Sequence, residues 1–328
     1  MGEVSPKVGV VVPCYRVRDS IAGVLRRIGP EVLKIYVVDD CCPDGTGDYV
    51  EANTTDSRIS VVRNQRNLGV GGATKAGFRA ALQDGIQIVV KLDGDGQMDP
   101  AQIPRLIEPI CSGRADYVKG NRFYDMESVR SMPALRKIGN AAMSLLSKVA
   151  SGYWSLMDPT NGFVAIETSV LPLISLNKVA DGYFFESDIL FRLNTVGAVV
   201  AEVPMEAIYA DERSHLSEAG AALRFPGKFV VRFAKRIVYT YYLRDFNACS
   251  VEIIFGMMLL IFGVVFGGYQ WYVSLVEHVP ATTGTVMLAA LPVILGFQLM
   301  LSALNYDVSR VLSDPLHLRF RRPRVESN

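Results

Sequence analysis

Two carboxylates one residue apart, Asp93 and Asp95, stand in Lys91-Leu92-Asp93-Gly94-Asp95-Gly96-Gln97, directly after the apolar run Ile86 to Leu92. The run is short and β-branched, as a buried strand is, and the glycines after it let the backbone approach a ligand where the strand ends. Hard oxygen donors at this spacing suit one Mg²⁺ or Mn²⁺, ions that bind through one or two protein carboxylates and complete their shell with substrate phosphate. The predicted chemistry is neutralisation of a diphosphate. Taken alone the pattern also describes a polar turn, so its neighbours decide.

Lys7 to Cys14 is an apolar strand ending in Pro13-Cys14-Tyr15, and Ile35-Tyr36-Val37-Val38 is a second, ending in Asp39 and Asp40 with Asp44 soon after. In open α/β sheets ligands bind outside the carboxyl ends of strands, which predicts that these loops and the Asp93 loop converge on one cleft. Between them, Asn67-Leu68-Gly69-Val70-Gly71-Gly72 opens a helix that carries Lys75. The N–H groups of such a turn are expected to face a phosphate, although a glycine-rich turn is also an ordinary loop.

The ordered set Val-Pro-x-Tyr, Val-Asp-Asp-x-x-x-Asp-x-Thr, Asn-x-Gly-x-Gly, Asp-x-Asp-Gly-Gln and Asp158-Pro159-Thr160-Asn161-Gly162-Phe163 resembles family-2 glycosyltransferases of GT-A fold. Within these it is most similar to the dolichol- and polyprenyl-phosphate sugar synthases, and the resemblance runs from about Val8 to Ser217. It implies transfer of a hexose from a nucleotide sugar of the UDP-glucose or GDP-mannose class to polyprenyl or dolichyl phosphate. By resemblance, Pro13, Tyr15 and Asp40 fall in the nucleotide-binding part, with Asp44, Asn67, Gly69 and Lys75 beside them. Asp93, Asp95 and Gln97 fall in the metal and acceptor-phosphate loop. Arg122, in Gly120-Asn121-Arg122, and Arg213 with His215, after Glu202-Val203-Pro204, fall where the family approaches phosphate. The chain departs from the pattern at Arg16, where Asn is usual, at His215, where Lys is usual, and at Asp188, where the synthases carry Glu as a site residue.

A lipid monophosphate has a second pKa of about 6, so it is already ionised near neutral pH and attacks an anomeric carbon with little help from a general base. Single displacement with inversion is expected, with the cation neutralising the leaving diphosphate and the arginines holding the acceptor. A lipid-linked oligosaccharide or polysaccharide is the alternative acceptor. A processive polysaccharide synthase lacks support, because the Gln-x-x-Arg-Trp motif is missing from the sequence. The non-enzyme alternative is a scaffold that only binds nucleotide sugar.

At 328 residues with net charge +1 the chain holds one catalytic domain and an appendage, and it carries no electrostatic signature of nucleic-acid binding. Hydrophobic residues make up 50%, and the excess lies in two uncharged runs, at about 253–276 and 285–305, each long enough to cross a bilayer. The expected layout is an α/β catalytic domain over 1–220, amphipathic interfacial helices over 221–250, a transmembrane hairpin over 251–308 and a basic tail over 309–328. Phe225, Phe229, Phe233, Ile237 and Tyr241 recur every fourth residue among basic side chains, a pattern that suits a helix on the membrane surface or one packed on the catalytic domain. Lys and Arg flank both spans and are missing from the turn, so both termini are expected in the cytoplasm, at the inner membrane in a bacterium. No signal peptide is visible. Gly263 and Gly267 form a small face for packing the hairpin or joining a second copy. Five cysteines without metal spacing read as free thiols; of three histidines, His278 falls in the turn and His317 in the tail, leaving His215 as the site candidate.

Overall fold

The computed structural model describes residues 6–124, 134–206 and 218–321. The chain runs β1 (Val8–Cys14), α1 (Arg18–Arg26), β2 (Val32–Asp39), α2 (Thr46–Asn53), β3 (Ile59–Arg63), α3 (Gly69–Gln83), β4 (Ile88–Lys91), α4 (Ile103–Cys111) and β5 (Tyr117–Asn121). It continues through α5 (Ala134–Ser151), β6 (Val164–Glu167), α6 (Phe185–Val196), β7 (Val200–Pro204) and α7 (Glu218–Val238). The seven strands form one sheet in the order β3-β2-β1-β4-β6-β5-β7. Val10 and Val12 of β1 pack with Ile21, Val24 and Leu106 on one face, while Val11 packs with Phe78, Ala81 and Ile189 on the other. Burial on both faces explains why β1 and β2 read as continuous apolar runs rather than alternating ones.

β1 pairs in parallel with both β2 and β4, so the chain order reverses between β1 and β4. A crevice opens at such a switch point, outside the carboxyl ends of the strands. β6 runs antiparallel between β4 and β5, with Lys91 opposite Val164. Its amino end therefore lies beside the carboxyl end of β4, which carries the Asp158 to Gly162 loop to the Asp93 loop.

The chain divides into a catalytic unit, Met1–Arg236 with Leu312–Asn328, and a second unit, Ile237–Val311. The second unit holds a π-helical turn, Tyr239–Arg244, and two helices, α8 (Ala248–Glu277) and α9 (Thr283–Ser309). Both helices are long and apolar enough to cross a membrane, and they contain the expected spans. A Cβ on Gly263 would lie 2.6 Å from Val293 and 2.8 Å from the Ala289 carbonyl, and one on Gly296 would lie 2.8 Å from the Gly256 carbonyl. The small face thus closes the hairpin itself, as Gly267 does against Ala289. Val264, Val265, Trp271 and Tyr272 remain exposed.

Packing bears on two expectations in the larger unit. On α7, Phe225 and Phe229 pack edge-on against Phe184 at 5.4 and 5.0 Å, and Arg236 is buried with a guanidinium nitrogen 2.9 Å from the Val149 carbonyl. Phe225 and Phe229 of the aromatic stripe thus face the domain, the second of the two packings the sequence allows, while Phe233 is exposed alongside Val230, Val231 and Val238. Likewise, 312–321 is no solvated basic tail. Helix α10 (Leu316–Arg321) docks Leu316 and His317 into the catalytic unit, and Asp116 accepts hydrogen bonds from the backbone N–H groups of Val199, Leu316 and His317. His317 Nδ1 lies 2.8 Å from the same carboxylate.

Burial raises the Asp116 carboxyl, but the His317 ring and these N–H groups outweigh it and hold the pKa below the ordinary value. A depressed carboxylate contributes stability that is present above its unfolded pKa and lost as pH falls through the folded one. Asp116→Ala is therefore expected to destabilise the domain by about 3 kcal/mol, since each stranded N–H costs about 1–3 kcal/mol before relaxation. Amide exchange over 316–321 should rise in step; unchanged exchange would show that the tail docks without this carboxylate.

Candidate active site

A cleft of about 440 Å³ opens at the β1/β4 switch point. Of the expected residues it brings together Pro13, Tyr15, Asp40, Asn67, Gly69, Asp93 and Asp95. Arg16 and Tyr183 also line it, and sequence reading had given neither a role in binding. Tyr183 enters from the turn before α6, where no strand-end signal marks it.

The paired acids at the carboxyl end of β2 each serve a different helix. Asp39 accepts from the N–H groups of Cys42 and Gly47, both at 2.7 Å, and so secures the start of α2. A Cβ on Gly47 would lie 2.5 Å from that carboxylate. Asp40, 2% exposed, accepts from Asn64 Nδ2 at 2.7 Å and from the N–H groups of Leu68 and Gly69 at 2.9 and 2.7 Å. The Gly72 N–H donates to the Asp181 carbonyl at 2.8 Å. The α3 terminus expected to face a phosphate is thus capped from within the protein, and Asp40 fixes the shape of the loop that leads into α3.

Lys75, expected at the donor, is buried away from the cleft lining, where it donates to the Val179 carbonyl at 2.7 Å and pairs with Asp181. Asp44 is exposed on the α2 loop and does not line the cleft. Asp188 is 0% exposed: it accepts from the Ala180 N–H at 2.8 Å and pairs with Arg232 at 2.5 Å and Arg192 at 3.5 Å. It is a structural anchor rather than the site carboxylate expected there. Arg213 and His215 lie outside the described residues.

Asp93 and Asp95 are half-buried in the cleft wall. Asp93 Oδ1 lies 2.7 Å from Lys91 Nζ, and Asp95 Oδ1 accepts the Gln97 N–H at 3.0 Å across Gly96, whose φ of +83° suits glycine. Among the described residues no group of three or more His, Cys, Asp or Glu could hold a metal ion. Two carboxylates beside an open cleft fit Mg²⁺ or Mn²⁺ completed by ligand oxygens, and do not fit a closed protein cage.

Arg122 leaves the carboxyl end of β5 and is oriented by Asp158, with Nε 2.8 Å from Oδ2 and a terminal nitrogen 3.1 Å from Oδ1. Asp158 is fully buried and Arg122 keeps 34% of its side chain exposed. Glu202 holds the same loop by accepting from the N–H groups of Met157 and Asp158 at 2.9 and 2.8 Å. Beneath these loops lie the buried cations Lys91 and Lys119 and the carboxyl of Glu186. Burial pulls Lys119 down to about 8 and pushes Glu186 up from its ordinary value. Glu186 is the acid of the α6 first turn that reaches the site; two residues apart on a helix point about 200° from each other, which sends Asp188 elsewhere.

Residues 9–172 match the family model described as glycosyl transferase family 2. Undecaprenyl-phosphate mannosyltransferase of Micrococcus luteus is 34% identical over 203 residues, which cover 61% of this chain and 82% of that protein. Polyprenol monophosphomannose synthase of Mycolicibacterium smegmatis is 32% identical over 202 residues, covering 60% and 75%. Among solved structures, glucosyl-3-phosphoglycerate synthase from Mycobacterium tuberculosis in complex with UDP superposes with a TM-score of 0.54 at 21% identity, over 70% of this chain and 80% of that one. The same enzyme with Mn²⁺, UDP and glucosyl-3-phosphoglycerate gives a TM-score of 0.52. These two likenesses establish the fold. With a family match over half its length and relatives of this identity, the chain belongs to glycosyl transferase family 2 and is a glycosyltransferase of GT-A fold.

Proposed function

We propose that the protein transfers a hexose from a nucleoside diphosphate sugar to a polyprenyl phosphate, with inversion and with a divalent cation, at the cytoplasmic face of a membrane. The observation that carries this reading is an acidic cleft, walled by Asp93 and Asp95 at the carboxyl end of β4, together with Arg122. That arginine lies outside the cleft lining, and the buried Asp158 holds it at the carboxyl end of β5, on the same edge of the sheet. The two relatives act, by name, on polyprenyl phosphates, and two helices of this chain are able to span a bilayer.

The acceptor phosphate oxygen attacks the anomeric carbon from the side opposite the leaving diphosphate; the new carbon–oxygen bond forms as the old one breaks, and the anomer inverts. An already ionised phosphate needs no side-chain base, so the protein's work is positioning and charge compensation. Arg122, its guanidinium oriented through Nε and a terminal nitrogen by Asp158, supplies positive charge and a hydrogen bond to the acceptor. Asp93 and Asp95 would hold the cation, which supplies countercharge to the departing nucleoside diphosphate. In this reading two crossings return the chain to the side it left, and the Lys/Arg-rich flanks favour the cytoplasm as that side.

Full-length protein in liposomes containing undecaprenyl phosphate is to be offered UDP-glucose, GDP-mannose and other UDP-sugars, with the product anomer read by NMR. Arg122→Ala is expected to weaken acceptor saturation about 10- to 100-fold, the loss of a charged hydrogen bond, while donor affinity stays within about twofold. An unchanged acceptor response, or a product that is not a phosphodiester, would move the acceptor site elsewhere.

A further inference from the structure

Lys91 ends β4 two residues before Asp93, and three oxygens surround its ammonium: Asp93 Oδ1 at 2.7 Å, the Gly162 carbonyl at 3.2 Å and Glu186 Oε1 at 3.6 Å. Its side chain is 1% exposed. A Cβ on Gly162 would come within 2.7 Å of Nζ and 2.9 Å of Asp93 Oδ2, so the loop after Asp158 is fitted around this pair. A buried ammonium persists only when paired, and this one has two carboxylates on different elements. Asp93 belongs to the cleft wall; Glu186 lies behind it on α6, 12% exposed.

A divalent cation on Asp93 would take over the role Lys91 plays there, and two cations a few ångströms apart repel. With Asp93 as its sole partner, a displaced Lys91 would be a stranded buried charge. Glu186 removes that cost. We propose that Lys91 is a resident counter-cation of Asp93, which yields to the divalent cation arriving with the donor diphosphate and is then held by Glu186. This rests on the reading of Asp93 and Asp95 as the cation site. Lys91 and Glu186 are positioning residues in it: they set how tightly the cleft takes a cation before the donor brings its own negative charge. The cation and the nucleoside diphosphate therefore bind cooperatively, each raising the affinity for the other by the same factor.

The test is Mn²⁺ titration of the full-length protein in detergent, followed by the EPR signal of free Mn²⁺, without nucleotide and with UDP or GDP. Lys91→Met is expected to tighten Mn²⁺ binding without nucleotide by about tenfold, by removing a neighbouring positive charge, and to shrink the enhancement that nucleotide gives. Glu186→Gln is expected to move it the other way, because Lys91 then has Asp93 alone to hold. Lys91→Arg, which keeps the charge, should retain the wild-type order. A purely structural role would weaken binding in both neutral variants, in step with their melting curves. Equal or weaker Mn²⁺ binding in Lys91→Met overturns the proposal, as does a shift of the same sign in both. Should Lys91→Met fail to fold, Glu186→Gln and Lys91→Arg decide it: unchanged Mn²⁺ binding in Glu186→Gln overturns it. Asp95→Asn separates the two readings. If it binds Mn²⁺ like the wild type with nucleotide present, the cation site itself is misplaced and this inference falls with it; if it loses Mn²⁺ while Lys91→Met gains nothing, the inference alone falls.

Discussion

Asp95→Asn should leave the melting curve where it is and lower transfer by about a hundredfold or more, the scale of losing one electrostatic contact to a transition state. Folding is spared because the asparagine oxygen can still accept the Gln97 N–H across the Gly96 turn, and asparagine suits such turns. Catalysis is not spared, since a neutral amide is a poor ligand for a hard cation and adds no countercharge beside a diphosphate. Turnover in Mg²⁺ and in Mn²⁺, run beside a thermal melt, checks both halves. Near-native turnover would remove the cation site from this loop.

The loops at the strand ends were legible because parallel strands buried on both faces leave a clear record, a β-branched run broken by proline after β1, by paired aspartates at β2 and by aspartate and glycine after β4. Pro13, Tyr15, Asp93 and Asp95 then follow from one topological rule, and the structure gathers them at one cleft. β6, at four residues, carries no period of its own, and only its antiparallel pairing explains how the Asp158 loop reaches Lys91. What stayed hidden depends on partners far along the chain. Asp40 lines the cleft as expected, but its bonds to the N–H groups of Leu68 and Gly69 could not be read from its own surroundings, and Lys75 looks like a phosphate binder until it meets a carbonyl 104 residues away. His317 looks solvated beside its arginines until Asp116, 201 residues earlier, is found beneath it.

The choice between the two acids of α6 shows the same limit on a single helix turn. Phe185-Glu186-Ser187-Asp188 presents two carboxylates in a first turn, and either suits a helix N-terminus. Resemblance selected Asp188. Packing selects Glu186 for the site and turns Asp188 toward Arg192 and Arg232. The two assignments predict opposite phenotypes.

Asp188→Ala should destabilise the catalytic unit by about 3–5 kcal/mol, the usual cost of removing one partner from a buried ion pair. The carboxylate is fully buried, while Arg192 and Arg232 are 15% and 21% exposed, so water recovers little of what they lose. The Ala180 N–H loses its acceptor as well. Arg232 also lies over the rings of Phe184 and Phe191 at 5.9 and 5.7 Å, and it ties α7 to the domain alongside Phe225 and Phe229. Amide exchange along 225–236 should therefore rise, and the melting temperature should fall by about 10 °C at the 2–4 °C per kcal/mol usual for a domain of this size. At a temperature where the variant is fully folded, turnover per folded molecule should stay near the wild-type value, because nothing in the proposed displacement needs a base at this position. A catalytic Asp188 would give the reverse in Asp188→Asn: an unchanged melt with turnover down by about a hundredfold, the penalty for a lost transition-state contact.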